Sequence, residues 1–181
     1  MTQTEKEFDR ALESCEKIFN MKLRDYGASW RMMRPSSITD QLFIKAKRIR
    51  SLEEKGTSAV GEGVLDEFRA IVNYSVVGII QLELGASDHK DMTPDEALTR
   101  YRKIVGETKA LMLKKNHDYD EAWRGMRVSS YTDLILTKIE RVKEIEDNAG
   151  RTSCSEGIGS NYQDMMNYAV FGIIKLTHND R

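Results

Sequence analysis

The sequence predicts an all-α protein of two tandem three-helix repeats, packed as a pseudo-symmetric helical bundle, and three observations predict it. The first is internal repetition. Asp25-Tyr26, Trp30-Arg31, Met33-Arg34, Ser36-Ser37 and Thr39-Asp40 return as Asp118-Tyr119, Trp123-Arg124, Met126-Arg127, Ser129-Ser130 and Thr132-Asp133. Residues 25–54 laid on 118–147 without a gap share 13 identities in 30 positions. After a slip of one residue, Asn73-Tyr74 and the run to Leu82 match Asn167-Tyr168 and the run to Leu176. Two copies of one supersecondary unit bury their apolar faces on each other. The second observation is that apolar residues recur at helical spacing, and no segment alternates like a strand. The third is that 181 residues hold two prolines and no long Gly/Ser tract, which argues against many short strands.

Each copy reads as three helices, with repeat boundaries at 1–87 and 88–181 and one compact unit expected. Thr4-Glu5-Lys6-Glu7 and Thr93-Pro94-Asp95-Glu96 look like capping boxes, the second with proline at the first helical position. The helices they open carry Phe8, Leu12, Cys15 and Phe19, or Leu98, Tyr101, Val105 and Met112, as apolar stripes. A polar loop bearing Asp-Tyr and Trp-Arg follows. Serine and threonine before Asp40 and Asp133 offer caps for a second helix over about 38–54 and 131–147. Gly56, Gly61 and Gly63, like Gly150, Gly157 and Gly159, mark a loop. The third helix, about 64–84 and 160–177, is apolar nearly all round and should be central.

Composition narrows the function. A net charge of −1 gives no general attraction to nucleic acid or anionic membrane. Cys15 and Cys154 occupy unrelated places in the two copies, as free thiols in a reducing cytoplasm would. The run Ile71 to Leu84 is broken by Asn73, Gln81 and Glu83 and is too short to span a bilayer. His89, His117 and His178 show no metal-ligand spacing, and Asp133, Glu140 and Glu144 fall on a solvated face. No nucleophile triad, P-loop, dinucleotide fingerprint or Cys-x-x-Cys occurs.

The informative positions are shared polar residues where a core would prefer carbon. Lys138 lies inside the arc of Tyr131, Leu134, Ile135, Ile139, Val142 and Ile145, with Arg141 at its edge. Lys45 lies inside the arc of Ile38, Leu42, Ala46, Ile49 and Leu52, with Arg48 at its edge. Such a lysine snorkels, pairs with an acid, or meets a phosphate or carboxylate ligand. Asn73 and Asn167 stand in the buried third helix, either fixing helix register by a hydrogen bond or belonging to a ligand shell with Asp164 one turn earlier. Tyr26 and Trp30 beside Arg31 and Arg34, like Tyr119 and Trp123 beside Arg124 and Arg127, either stack a nucleobase and fork onto phosphate or simply roof the bundle.

The run Lys115-Asn116-His117-Asp118-Tyr119, then Ala122-Trp123-Arg124, Thr132-Asp133 leading into Lys138 and Arg141, and Asn167-Tyr168 resembles the nucleotide modification associated domain family. This is a small all-α group first known only as a domain of unknown function, and the likeness covers both copies. The family is distantly similar to all-α NTP pyrophosphohydrolases of the MazG and dimeric dUTPase type. There, acids on two helices hold Mg²⁺ against a triphosphate while water attacks to release pyrophosphate. The resemblance implies that Asp164 sits where the last aspartate of the second acidic motif would lie. Glu67 sits where its first glutamate would lie, in the other copy. Lys138 and Arg141 replace acids of the first motif.

The expectation is therefore a cytoplasmic protein that binds a small-molecule nucleotide between helices two and three and the Trp-Arg loop. Lys138 and Arg141 take phosphate, Tyr119 and Trp123 the base, with Arg124, Arg127 and Asn167 nearby; Asp164, Glu156 and Glu67 take any Mg²⁺. The first copy supplies Lys45, Arg48, Tyr26, Trp30, Arg31 and Asn73. In catalytic form this is Mg²⁺-dependent pyrophosphohydrolysis of a nucleoside triphosphate. The competing expectation is a non-catalytic helical scaffold or binding module; a homodimer is left open.

Overall fold

A computed structural model describes residues 1–55, 61–153 and 156–178. Gly56 and Cys154, a loop marker and a free thiol in the sequence reading, lie outside the described residues. Six helices follow in order: α1 (Gln3–Tyr26), α2 (Pro35–Lys55), α3 (Gly61–Leu84), α4 (Pro94–Tyr119), α5 (Val128–Asp147) and α6 (Ile158–His178). Each Trp-Arg loop is a short 3₁₀ turn, Ser29–Met32 and Ala122–Gly125. No strand occurs among the described residues.

Most helix starts differ from expectation, and α3 and α6 take in Gly61, Gly63 and Gly159, which the spacing of glycines places in the preceding loops. The first capping box is Thr2 with Glu5, since the Thr2 hydroxyl takes the Glu5 N–H and the Glu5 carboxylate takes the Thr2 N–H. Helices α2 and α5 begin a turn earlier than read, at Pro35 and Val128. Proline is welcome there because a first-turn residue needs no N–H bond. Thr39 and Thr132 consequently sit inside their helices and are fully buried rather than capping. Thr93 caps α4 as expected, accepting from the Glu96 N–H.

The two copies meet about a pseudo-two-fold axis, and each helix pairs with its own counterpart. Between α2 and α5, Thr39 donates to Glu146 at 3.0 Å and Thr132 donates to Glu53 at 3.2 Å. Between α1 and α4, Lys109 pairs with Asp9 and Arg102 with Glu16, both cations on α4 and both acids on α1. Between α3 and α6, Gly78 faces the Tyr162 ring and Gly172 faces Phe68. Helices α3 and α6 form the central layer, and their buried side chains include Phe68, Ile71, Val76, Ile80, Tyr162, Met166 and Val170. Burying one such large side chain contributes about 1.5–3 kcal/mol. Among the described residues no helix is long and apolar enough to cross a membrane.

Candidate functional site

The inward lysines of the second helices both meet an acid on the following helix. In the first copy, Glu67 of α3 is buried, with Arg48 Nη1 at 2.7 Å from Oε1 and Lys45 Nζ at 3.5 Å from Oε2. In the second, Asp164 of α6 has Lys138 at 3.0 Å from Oδ2 and Lys115 at 2.9 Å from Oδ1. The acid has moved one helical turn between copies: Ala70 stands at the place of Asp164, and Asn161 at the place of Glu67. Burial works against the Lys115 ammonium, but the hydrogen bond and charge of Asp164 outweigh it and raise its pKa. The phenols of Tyr74 and Tyr168 are raised by burial and then by the neighbouring carboxylates, Glu67 and Asp164.

The Trp-Arg turns are anchored from the far end of the third helices. Gln81, fully buried, donates to the carbonyls of Arg31 and Met33. Lys175, at the same repeat position, donates to those of Arg124 and Met126. Sequence reasoning passed over this pair, although a polar residue at one position of both apolar helices was its signal. Arg31 is itself buried, with Asp91 at 2.8 Å, Gln81, and the Gly85 carbonyl as acceptors. Arg124 binds Thr4 and Glu7 of α1 and lies over the Trp123 ring. Gly27, at the end of α1 with φ +69°, supplies the left-handed residue that releases the chain into the first turn.

The roofs built on these turns differ. Trp123 is buried and stacks on Phe171 at 4.4 Å, its N–H bonded to Asn116 and its carbonyl to the Tyr131 hydroxyl. In the first copy the same positions hold Val77, Leu23 and Ile38. Trp30 has no ring stacked beneath it from α3, and its buried N–H has no partner among the described residues. A cleft of about 500 Å³ opens there. It brings together Tyr26, Trp30, Lys45, Glu67 and Asn73 with Lys22 of α1, and all its lining residues belong to the first copy. That volume lies within the range of small-molecule sites.

The remaining expected residues are placed as follows. Asn73 binds the Cys15 carbonyl and accepts from the Tyr101 hydroxyl, tying α3 to α1 and α4. Asn167 is buried, and its Oδ1 lacks the equivalent donor because Phe8 stands where Tyr101 stands in the other copy. Tyr119, Arg127, Arg141 and Glu156 are exposed, as is Arg34. Among the described residues, no group of three or more His, Cys, Asp or Glu could hold a metal ion.

The fold and this cleft define a doubled all-α bundle with an aromatic and cationic pocket in one half. The chain belongs to the family described as Nucleotide modification associated domain 1, which matches residues 22–82 and 115–176 and so covers both copies. No curated protein and no solved structure matches the chain.

Proposed function

We propose that the protein binds a nucleotide in the first-copy cleft, its base among Trp30, Tyr26 and Tyr74 and its phosphate at Lys45 and Lys22. One observation carries this reading: a cleft of ligand size joins Tyr26, Trp30, Lys45 and Asn73, four residues that the two copies share. Lys22 is exposed and has no acid partner among the described residues, so its charge is free for an anion. Because the lining comes from one copy of one chain, a homodimer is not needed. Cys15, a buried free thiol, suits the reducing cytoplasm we assign to the protein.

Resident Mg²⁺ fits the donor set poorly. A Mg²⁺ site needs one or two carboxylates facing the ion, whereas Glu67 and Asp164 are each held by two cations. Pyrophosphohydrolysis on the MazG pattern is therefore the less favoured form of the proposal. The scaffold reading is favoured by Arg31 and Arg124, whose guanidinium groups are committed to Asp91 and Glu7.

Calorimetric titration with nucleoside mono- and triphosphates, with and without Mg²⁺, separates these readings when paired with pyrophosphate detection. Saturable binding of a nucleotide, lost in Lys45→Met with the fold retained, is the expected result. No heat and no thermal shift with any nucleotide sinks it in favour of the scaffold. Pyrophosphate release that requires Mg²⁺ moves the protein to the hydrolase reading.

A further inference from the structure

Two polar atoms in the first-copy cleft are buried without a hydrogen-bond partner among the described residues: the Trp30 indole N–H and Glu67 Oε2. The Glu67 side chain is only 6 % exposed; Arg48 occupies its Oε1, while Lys45 stands 3.5 Å from Oε2, too far for a good hydrogen bond. Orphaned buried groups are costly and rare enough to require a reason. Both belong to residues that line the same cleft.

The second copy supplies the comparison. Its indole N–H, on Trp123, has Asn116 at 3.2 Å. Its residue at the place of Glu67, Asn161, donates to the Gly157 carbonyl at 2.8 Å. Its carboxylate, Asp164, is bonded through both oxygens to Lys115 and Lys138. What the second copy satisfies internally, the first copy leaves unpartnered in two residues that line its cleft.

Resting on the nucleotide reading above, we infer that the first copy alone is a binding site and that Trp30 and Glu67 read the hydrogen-bonding edge of a heterocyclic base. The ligand accepts from the indole N–H and donates an N–H to Glu67 Oε2. Phosphate cannot take this place, because it offers acceptors only and Glu67 Oε2 is itself an acceptor. It belongs at Lys22 and Lys45 instead. The flat aromatic face of Tyr74, which lines the same cleft, suits a planar ring over a sugar. Every common base carries a donor beside an acceptor, so Trp30 and Glu67 select for a base edge, at one site per chain.

The test is titration of the full chain with AMP, GMP, CMP, UMP and ribose 5-phosphate. Trp30→Phe removes the N–H and keeps an aromatic ring. Leu23→Asn supplies the internal acceptor that Asn116 provides in the other copy. Both substitutions should weaken the best base-bearing ligand about tenfold, the effect of one buried hydrogen bond. Ribose 5-phosphate binding should not respond. Stoichiometry should be one, and Asn116→Leu should leave affinity unchanged. Two sites per chain, or a nucleotide whose affinity ignores Trp30→Phe and Leu23→Asn, overturns this inference and leaves nucleotide binding standing. A chain that binds none of the four nucleotides, and no nucleoside triphosphate either, overturns both.

Discussion

Glu53 and Glu146, one from each copy, hold their protons more tightly than ordinary glutamates. Burial is the main cause, opposed by the hydrogen bond from the threonine across the axis and reinforced by Asp133 or Asp40 nearby. A folded-state pKa raised above the unfolded value contributes stability that is complete below the unfolded value, near 4.3, and lost as pH rises through the raised one. At neutral pH the two charges are therefore a cost. Glu53→Gln and Glu146→Gln keep an acceptor for Thr132 and Thr39 and remove that cost. Each should raise Tm at pH 7.5, with the gain shrinking toward pH 4; a lowered Tm at pH 7.5 contradicts this. Cys15 gives a second residue-scale prediction. Burial pushes its thiol up to about 12, and the reactive species is the thiolate. In a Cys154→Ser background it should resist thiol reagents until the chain unfolds, and rapid labelling of the folded protein would count against the packing described. At this scale the sequence was informative about identity and less so about partners. Lys45 and Lys138 were legible as inward cations because helical spacing fixes direction. That Glu67 answers one and Asp164 the other follows from which turn of the facing helix comes near, which spacing along one helix does not reveal. Arg31 and Arg124 were legible as a pair, but their acceptors lie 60 and 117 residues away.

Among the elements, the crossing of α3 and α6 is the tightest point. A Cβ on Gly78 would stand 2.8 Å from the Tyr162 ring, and one on Gly172 would stand 3.0 Å from Phe68. Alanine in a helix gains up to about 1 kcal/mol over glycine, whereas overpacking costs about 1–3 kcal/mol. The Tyr162 ring is fully buried and tethered through its hydroxyl to Thr39 at 2.6 Å, so it cannot easily give way. Phe68 has no such tether. Gly78→Ala should therefore lower the unfolding free energy by about 1–2 kcal/mol, and Gly172→Ala by less. Chemical denaturation checks both, and a stabilised Gly78→Ala would contradict the close approach. Helix number and order were legible from periodicity. The starts of α2 and α5 were not, because Ser and Thr near a helix start signal caps whether or not they serve as caps. Here proline at position 35 and tertiary demand for Thr39 and Thr132 moved the boundary back a turn.

Over the whole molecule, the duplication gives each half the same frame and different contents. Phe171 and Asn116 pack and bond Trp123, and Asp164 pairs with Lys138, in the second half, where Val77, Leu23 and Ala70 leave the first half hollow. The repeat comparison made the frame readable from sequence, including the displaced acids. It did not show which half stays open, since that depends on how side-chain volume and hydrogen bonding add up in three dimensions. The two lysines consequently diverge in role. Lys138→Met leaves Asp164 with one cation instead of two and should lower Tm without changing nucleotide affinity. Lys45→Met should do the reverse to binding. The most direct measurement is a crystal soaked with the tightest-binding nucleotide of the panel. Density for a base against Trp30, with phosphate near Lys45 and Lys22 and none against Trp123, is the predicted result. Density at the second-copy loop beside Lys138, or a first-copy cleft that stays free of nucleotide at saturation, contradicts it.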